Sequence, residues 1–62
     1  MLRLGMLKLT LDEQYGAFRV FDSTGVVIRS GGMDELTATR LATKVDGRIE
    51  HQDPDTGAWY RW

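Results

Sequence analysis

The side chains that could support catalysis are few. The chain has one histidine, His51, no cysteine, and two serines, Ser23 and Ser30, which stand near glycines in predicted turns. A catalytic triad would require His51 to meet one of these serines and a carboxylate, and the spacing of a nucleophile elbow is missing. The inventory predicts that the protein is not an enzyme and holds no cofactor.

Acidic residues around His51 are the best candidates for metal ligands. The stretch Asp53-x-Asp55-x-Gly57 resembles part of a calcium-binding loop, and Glu50 lies just before it. A complete loop needs further ligands and a distal glutamate, which the sequence does not supply. An Asp-Pro turn explains the same residues, because Asp, Pro and Gly are each typical of turns. We therefore predict a turn here and no metal, with the His51 ring facing solvent.

Basic and aromatic side chains offer a different chemistry, that of binding. Strand periodicity places Arg19 and Phe21 together on the uncovered side of a predicted sheet. That side is predicted to carry Lys8, Thr10, Arg19, Phe21, Val27, Arg29, Arg48 and Glu50. It holds four basic residues against one acid, although the whole chain has a formal net charge of -1. Such a face suits an acidic protein surface or a nucleic-acid backbone. A purely structural alternative is that these basic side chains keep the sheet soluble and cover its apolar residues.

The sequence Trp59-Tyr60-Arg61-Trp62 is the densest aromatic cluster. In a strand, Tyr60 and Trp62 share one side and Trp59 takes the other. We predict that Trp59 closes the core and that Trp62 contacts a partner, because Trp, Tyr and Arg dominate interface hot spots. The candidate partner-binding residues are Lys8, Arg19, Phe21, Arg29, Arg48, Tyr60, Arg61 and Trp62.

One predicted helix, from Asp34 to about Lys44, must cover the other side of the sheet. Asp34 can cap its first free N–H groups, and Gly47 follows soon after its end. Met33 and Ala38 occupy the two positions of a hydrophobic staple. The apolar face of the helix consists of Ala38, Leu41, Ala42 and Val45.

Five strands are predicted around this helix, in the order β-β-β-α-β-β. They cover Met6–Leu11, Ala17–Asp22, Val26–Arg29, Arg48–Gln52 and Ala58–Trp62. Turns separate the strands of each hairpin, including one at Asp12–Gly16. The fold class is therefore α+β, a mainly antiparallel sheet covered on one face by one helix. The pattern allows the fourth strand to lie beside either the first or the third. The covered side is predicted to carry Leu7, Leu9, Leu11, Phe18, Val20, Val26, Ile28 and Ile49.

The length of 62 residues predicts a single domain, 1–62, with 1–5 as a loose leader or a strand extension behind a bulge at Gly5-Met6. A chain this short buries only about 60% of its unfolded surface. Because the chain has no cysteine, no disulfide can stabilise it, and we expect it to self-associate through the N-terminal strand. The apolar start is far shorter than the roughly 20 residues of a membrane span. No membrane contact and a cytoplasmic location are expected.

A resemblance extends over roughly residues 6–62. Its parts are the hairpin Phe18–Val27, the helix start Met33–Leu36 with Ala38 and Leu41-Ala42, and the strand Asp46–Glu50. This pattern resembles small uncharacterised proteins of bacteriophages and their bacterial hosts, such as the DUF2188-like domains. The resemblance implies a mobile-element accessory protein that binds and inhibits a host or defence factor, as anti-CRISPR proteins do. No functional residue can be carried over from it.

The sequence supports three hypotheses for function. The first is a non-enzymatic module that binds a protein partner through the basic and aromatic side chains. The second is a nucleic-acid-binding module that uses the same face. The third is a structural homodimer or virion component, in which Leu2, Leu4 and Met6 pair across a sheet edge.

Overall fold

The computed structural model describes residues 9–62, which form one antiparallel sheet and two helices. In chain order the elements are α1 (Leu11–Tyr15), β1 (Phe18–Phe21), β2 (Val27–Ser30), α2 (Glu35–Lys44), β3 (Arg48–Gln52) and β4 (Trp59–Arg61). The predicted α+β class is confirmed. Within residues 9–62, neither helix is long and apolar enough to span a bilayer.

Strand β1 lies near the middle of the sheet, whose order is β2-β1-β3-β4. It pairs antiparallel with β2 on one edge and with β3 on the other. Strands β2 and β3 therefore run in the same direction, and α2 carries the chain across β1 between them. The predicted second strand corresponds to β1 and the predicted fourth strand to β3, and these two lie side by side. The expectation that the fourth strand lies beside the first or the third is therefore wrong.

The core lies between the sheet and α2. Phe18 and Val20 of β1 and Ile49 of β3 contribute from the sheet, while Ala38 and Ala42 contribute from the helix. Met33, fully buried just before the helix, completes this cluster, and Leu41 and Val45 pack against it. The predicted apolar face of the helix is confirmed. Because alanines occupy its centre, the helix backbone can lie close to the sheet.

Both ends of α2 are fixed by specific hydrogen bonds. Asp34 accepts a bond of 2.8 Å from the Thr37 N–H, as its predicted capping role requires. At the other end, the Gly47 N–H donates to the Ala42 carbonyl and the Asp46 N–H to Thr43, which is a Schellman motif. The residue with left-handed backbone in that motif is Asp46, at φ 55°.

Gly47 brings the end of this motif against β1. A Cβ atom at this position would overlap the carbonyl oxygen of Phe21. The absence of a side chain, rather than a positive φ, is therefore what the site requires. This approach sets where β3 begins beside β1.

The predicted strand Met6–Leu11 and the turn after it are wrong in the part that the structure describes. Thr10 and Glu13 form a capping box, in which each side chain bonds to the backbone N–H of the other, and this starts α1. Leu9 and Leu11 are exposed at 56% and 38% instead of facing the core. The expected features of residues 1–8 lie outside the described residues: the leader, the slip at Gly5-Met6, Leu7, Lys8 and the N-terminal pairing surface.

Strand β2 departs from the predicted phase. A register shift between Val20 and Phe21 pairs Val20 with Arg29 and Phe21 with Val27, so Ile28 is an extra residue. Arg29 therefore stands on the side of Val20, which is the covered side, and not on the uncovered side. Ile28 is largely exposed rather than buried in the core, as is Val26, which precedes the strand.

The helix end gives a first prediction. Gly47→Ala should lower the free energy of unfolding by about 1–3 kcal/mol, because the new methyl group has to displace the β1 backbone. Asp46→Gly should raise it by up to about 1 kcal/mol, because glycine adopts the left-handed backbone without steric cost. Urea unfolding followed by circular dichroism measures both changes.

Asp46→Ala is the matched control, since alanine keeps a Cβ atom in the same backbone conformation and should lower stability. If Gly47→Ala unfolded at the same urea concentration as the wild type, the close approach to Phe21 would be disproved.

Candidate partner-binding site

The side of the sheet opposite α2 carries residues from all four strands, including Val27 and Ser30 of β2. Register pairs Arg19 with Glu50 and Phe21 with Arg48, and Trp59 of β4 stands opposite Gln52. Directly paired residues project on the same side of a sheet. We define the open face as Arg19, Phe21, Arg48, Glu50, Trp59 and Arg61, the last of which pairs with Glu50.

Cations and aromatic rings alternate along the open face. The guanidinium carbon of Arg19 lies 4.0 Å from the centroid of the Trp59 ring and 5.4 Å from that of Phe21. The guanidinium carbon of Arg48 lies 4.1 Å from the Phe21 centroid. The order is therefore Trp59, Arg19, Phe21, Arg48. Each contact places a cation over the negative face of a ring, which is a favourable cation–π geometry.

We call the row of Trp59, Arg19, Phe21 and Arg48 the ladder. Glu50 of β3 contacts both arginines of the ladder. Its Oε1 accepts bonds of 2.9 Å from Nε and 2.6 Å from Nη2 of Arg19. Its Oε2 lies 3.6 Å from Nη2 of Arg48. The hydrogen bond from Arg19, helped by the charges of both arginines, lowers the pKa of Glu50 despite partial desolvation. The carboxylate is thus ionised at neutral pH, fixes the Arg19 guanidinium group by hydrogen bonds and attracts that of Arg48.

The ladder covers its own apolar component. Phe21 is only 8% exposed, although it lies on the side of the sheet away from α2, because Arg19 and Arg48 stand against its ring. The two arginines thus shield Phe21, as the structural alternative expects, and this contact does not decide whether the face also binds a partner. Val27, opposite Phe21, remains exposed. The face that a partner would meet therefore includes partly exposed guanidinium groups, Val27 and the half-buried Trp59.

Not all the predicted binding residues reach the open face. Arg19, Phe21, Arg48 and Arg61 do, whereas Arg29 does not. The Arg29 guanidinium instead donates to the Gly32 carbonyl at 3.0 Å. Lys8 lies outside the described residues.

Tyr60 and Trp62 lie on the side of α2, and Trp59 lies on the open face. Tyr60 pairs with His51, and its hydroxyl donates to Asp53 Oδ2 at 2.6 Å. This bond raises the pKa of Tyr60 and lowers that of Asp53. The expectation that Trp59 closes the core is wrong. Period-two alternation correctly separates Trp59 from Tyr60 and Trp62, but alternation alone does not tell which side faces the helix.

His51 is a structural residue rather than a solvent-facing one. Its Nε2 lies 2.8 Å from the Tyr15 carbonyl oxygen, which ties α1 to the sheet. Its ring centroid lies 4.7 Å from that of Phe18 and 4.9 Å from that of Trp62. The predicted solvent-facing ring is therefore wrong, because β3 turns His51 towards the core side.

The turns use acidic residues as hydrogen-bond acceptors. Asp53 Oδ1 accepts from the N–H groups of Asp55 and Thr56, as expected for the predicted turn. Asp22 does the same in the β1–β2 hairpin, where bonds from Thr24 and Val26 lower its pKa. Among residues 9–62, no group of three metal-ligating side chains comes together.

Comparisons with protein-family models, with curated proteins and with solved structures give no match for this chain. Its function is accordingly inferred from the geometry and charge of the open face.

The Glu50 contacts predict a pH-dependent stability. The folded protein lowers the pKa of Glu50 below its ordinary 4.5. Its ionised form therefore stabilises the fold above that ordinary value, and this contribution is lost as the pH falls through the lowered value. We expect the urea unfolding midpoint of the wild type to drop between about pH 5 and pH 2. Glu50→Gln should have a lower urea unfolding midpoint than the wild type at pH 7, and its midpoint should fall by less between about pH 5 and pH 2.

Part of the pH dependence should survive in Glu50→Gln, because the pKa values of Asp22, Asp34 and Asp53 are also lowered. An acid-range slope identical to that of the wild type would mean that the ion pair with Arg19 contributes nothing to folding.

Proposed function

We propose that this protein is a non-enzymatic binding module whose open face docks onto an acidic surface of a partner protein. The observation that carries this proposal is the ladder of Trp59, Arg19, Phe21 and Arg48 held by Glu50. An arginine that is already fixed loses less side-chain entropy when it binds. Planar guanidinium groups also suit paired hydrogen bonding to carboxylates.

Charge supports an acidic partner. As defined above, the open face carries three arginines, Arg19, Arg48 and Arg61, against the carboxylate of Glu50, while the chain as a whole has a net charge of -1. A positive face on a nearly neutral protein orients the encounter with an acidic surface and raises the association rate. Arginine and tryptophan are also residue types enriched at binding hot spots.

The same geometry favours a protein over a single-stranded nucleic acid. Proteins that bind single strands stack the bases on accessible aromatic faces. Here Phe21 is buried, and the Arg19 guanidinium already lies over the Trp59 ring. Base stacking would have to break these contacts. Phosphate binding by the arginines remains the competing hypothesis, and salt dependence separates it from the first.

The class of partner comes from the sequence resemblance. It points to a mobile-element accessory protein in the cytoplasm of a bacterial host, whose partner is a host or defence factor. In this proposal, binding itself is the activity, and it inhibits or modulates the partner by occupying an acidic surface.

The test removes charge from the open face and compares an equal loss elsewhere. Arg48→Gln with Arg61→Gln removes two positive charges from the face. Arg40→Gln with Lys44→Gln removes two from exposed positions of α2. We expect proteins captured from a bacterial lysate, identified by mass spectrometry, to be lost with the first pair and kept with the second. The affinity for the purified partner should fall at least about tenfold.

Equal capture by both double variants, with unchanged circular dichroism, would remove the open face as the binding site. A second measurement addresses nucleic acid directly, using a single-stranded DNA oligonucleotide, its duplex and the matching RNA at two salt concentrations. Tight binding that weakens steeply with salt, and that is lost with Arg48→Gln and Arg61→Gln, would replace the protein partner by a nucleic acid.

A further inference from the structure

A separate groove opens on the other side of the sheet, where α2 begins. Its volume is about 360 Å³. The groove is lined by Tyr15, Phe18, Asp34, Glu35, Leu36 and Trp62. None of these residues belongs to the open face, so the groove is a second surface with its own chemistry.

The groove has aromatic walls and an apolar base. Tyr15, Leu36 and Trp62 are each more than half exposed, and together they form a contiguous apolar patch, which is a feature of binding surfaces. Phe18 is almost fully buried beneath them and belongs to the core. A ligand with a flat, partly apolar group could therefore contact rings while its polar end stays near the rim.

The walls are held in place by contacts within the protein. The Trp62 indole N–H donates to Glu35 Oε2 at 3.1 Å, and its ring meets Phe18 edge to face at 5.3 Å between centroids. His51 packs against Trp62 and also binds the Tyr15 carbonyl. The Trp62 side of the groove is consequently held in place before any ligand enters.

The charge of the groove is negative. Asp34 and Glu35 line it, and within residues 9–62 no lysine or arginine does. Hydrogen bonds from Thr37 lower the pKa of Asp34, so this carboxylate is ionised at neutral pH. Asp34 also caps α2, and its charge offsets the positive end of the helix dipole. Glu35 uses Oε2 for Trp62, which leaves Oε1 outside that bond.

We propose that this groove binds an arginine side chain that projects from a partner protein. A guanidinium group is planar and weakly hydrated, so it stacks on aromatic rings such as Tyr15 and Trp62. Its N–H groups donate to carboxylates such as Asp34 and Glu35. A lysine ammonium group is compact and strongly hydrated, and so it fits the aromatic walls less well. This site does not depend on the open face, which has the opposite charge.

The test uses two short peptides that differ by one group. The probe is N-acetyl-Gly-Arg-Gly-amide, and its control replaces arginine with citrulline, which has nearly the same shape without the charge. In a titration of ¹⁵N-labelled protein followed by NMR, the arginine peptide should shift the Trp62 indole signal and the Glu35 and Leu36 amide signals. The citrulline peptide should bind at least about threefold more weakly.

Variants connect the binding to the groove. Glu35→Gln keeps an acceptor for the Trp62 indole but removes the charge, and it should weaken arginine binding about threefold. Asp55→Asn removes the same charge from an exposed turn and should leave binding unchanged. Arg48→Gln with Arg61→Gln should also leave it unchanged, which separates this site from the proposed open-face function. Equal binding of the two peptides, or signal shifts that avoid the groove, would overturn the proposal.

Discussion

Strand β1 is hydrogen-bonded along both edges, and this double pairing dictates the surroundings of each of its four side chains. Phe18 and Val20 face α2 and form the centre of the core. Arg19 and Phe21 project the other way, on the side of the sheet away from α2. They are stabilised there by Glu50 and Arg48, which β3 places directly opposite. The core and the open face are therefore two consequences of one register, and a slip by one residue would exchange them.

The end of α2 controls that register. The Schellman motif closes the helix over Ala42 and Thr43, and Gly47 then passes against the Phe21 carbonyl. Only a residue without a side chain fits there, and the next residue, Arg48, then begins β3 and pairs with Phe21. The cation–π contact between Arg48 and Phe21 thus depends on a backbone contact made one residue earlier.

The helix could be predicted from sequence because its signals agree: a cap at Asp34, apolar residues at helical spacing and a glycine after the end. The signals conflict at Leu9–Leu11, where alternation indicates a strand while Thr10 and Glu13 carry the capping box that decides the structure. The predicted side of Arg29 is wrong because a bulge adds Ile28 to β2, and the alternation of apolar and polar residues does not reveal an extra residue. The side taken by Trp59 escapes prediction for another reason: it depends on how β4 pairs with β3, a non-local contact.

Size explains why both proposed surfaces are built from aromatic rings and charges. The buried cluster between sheet and helix has room for Phe18, Val20, Met33 and Ile49 with two alanines, but for neither tryptophan. A chain of 62 residues buries a smaller fraction of its surface than a larger domain does, so few large side chains are fully enclosed in the part that the structure describes. Trp59 and Trp62 therefore remain at the surface, and each is stabilised there by a charged neighbour, Arg19 on one side and Glu35 on the other. The neighbours have opposite charge, so the two sides of one thin sheet differ in the charge that they place beside a tryptophan.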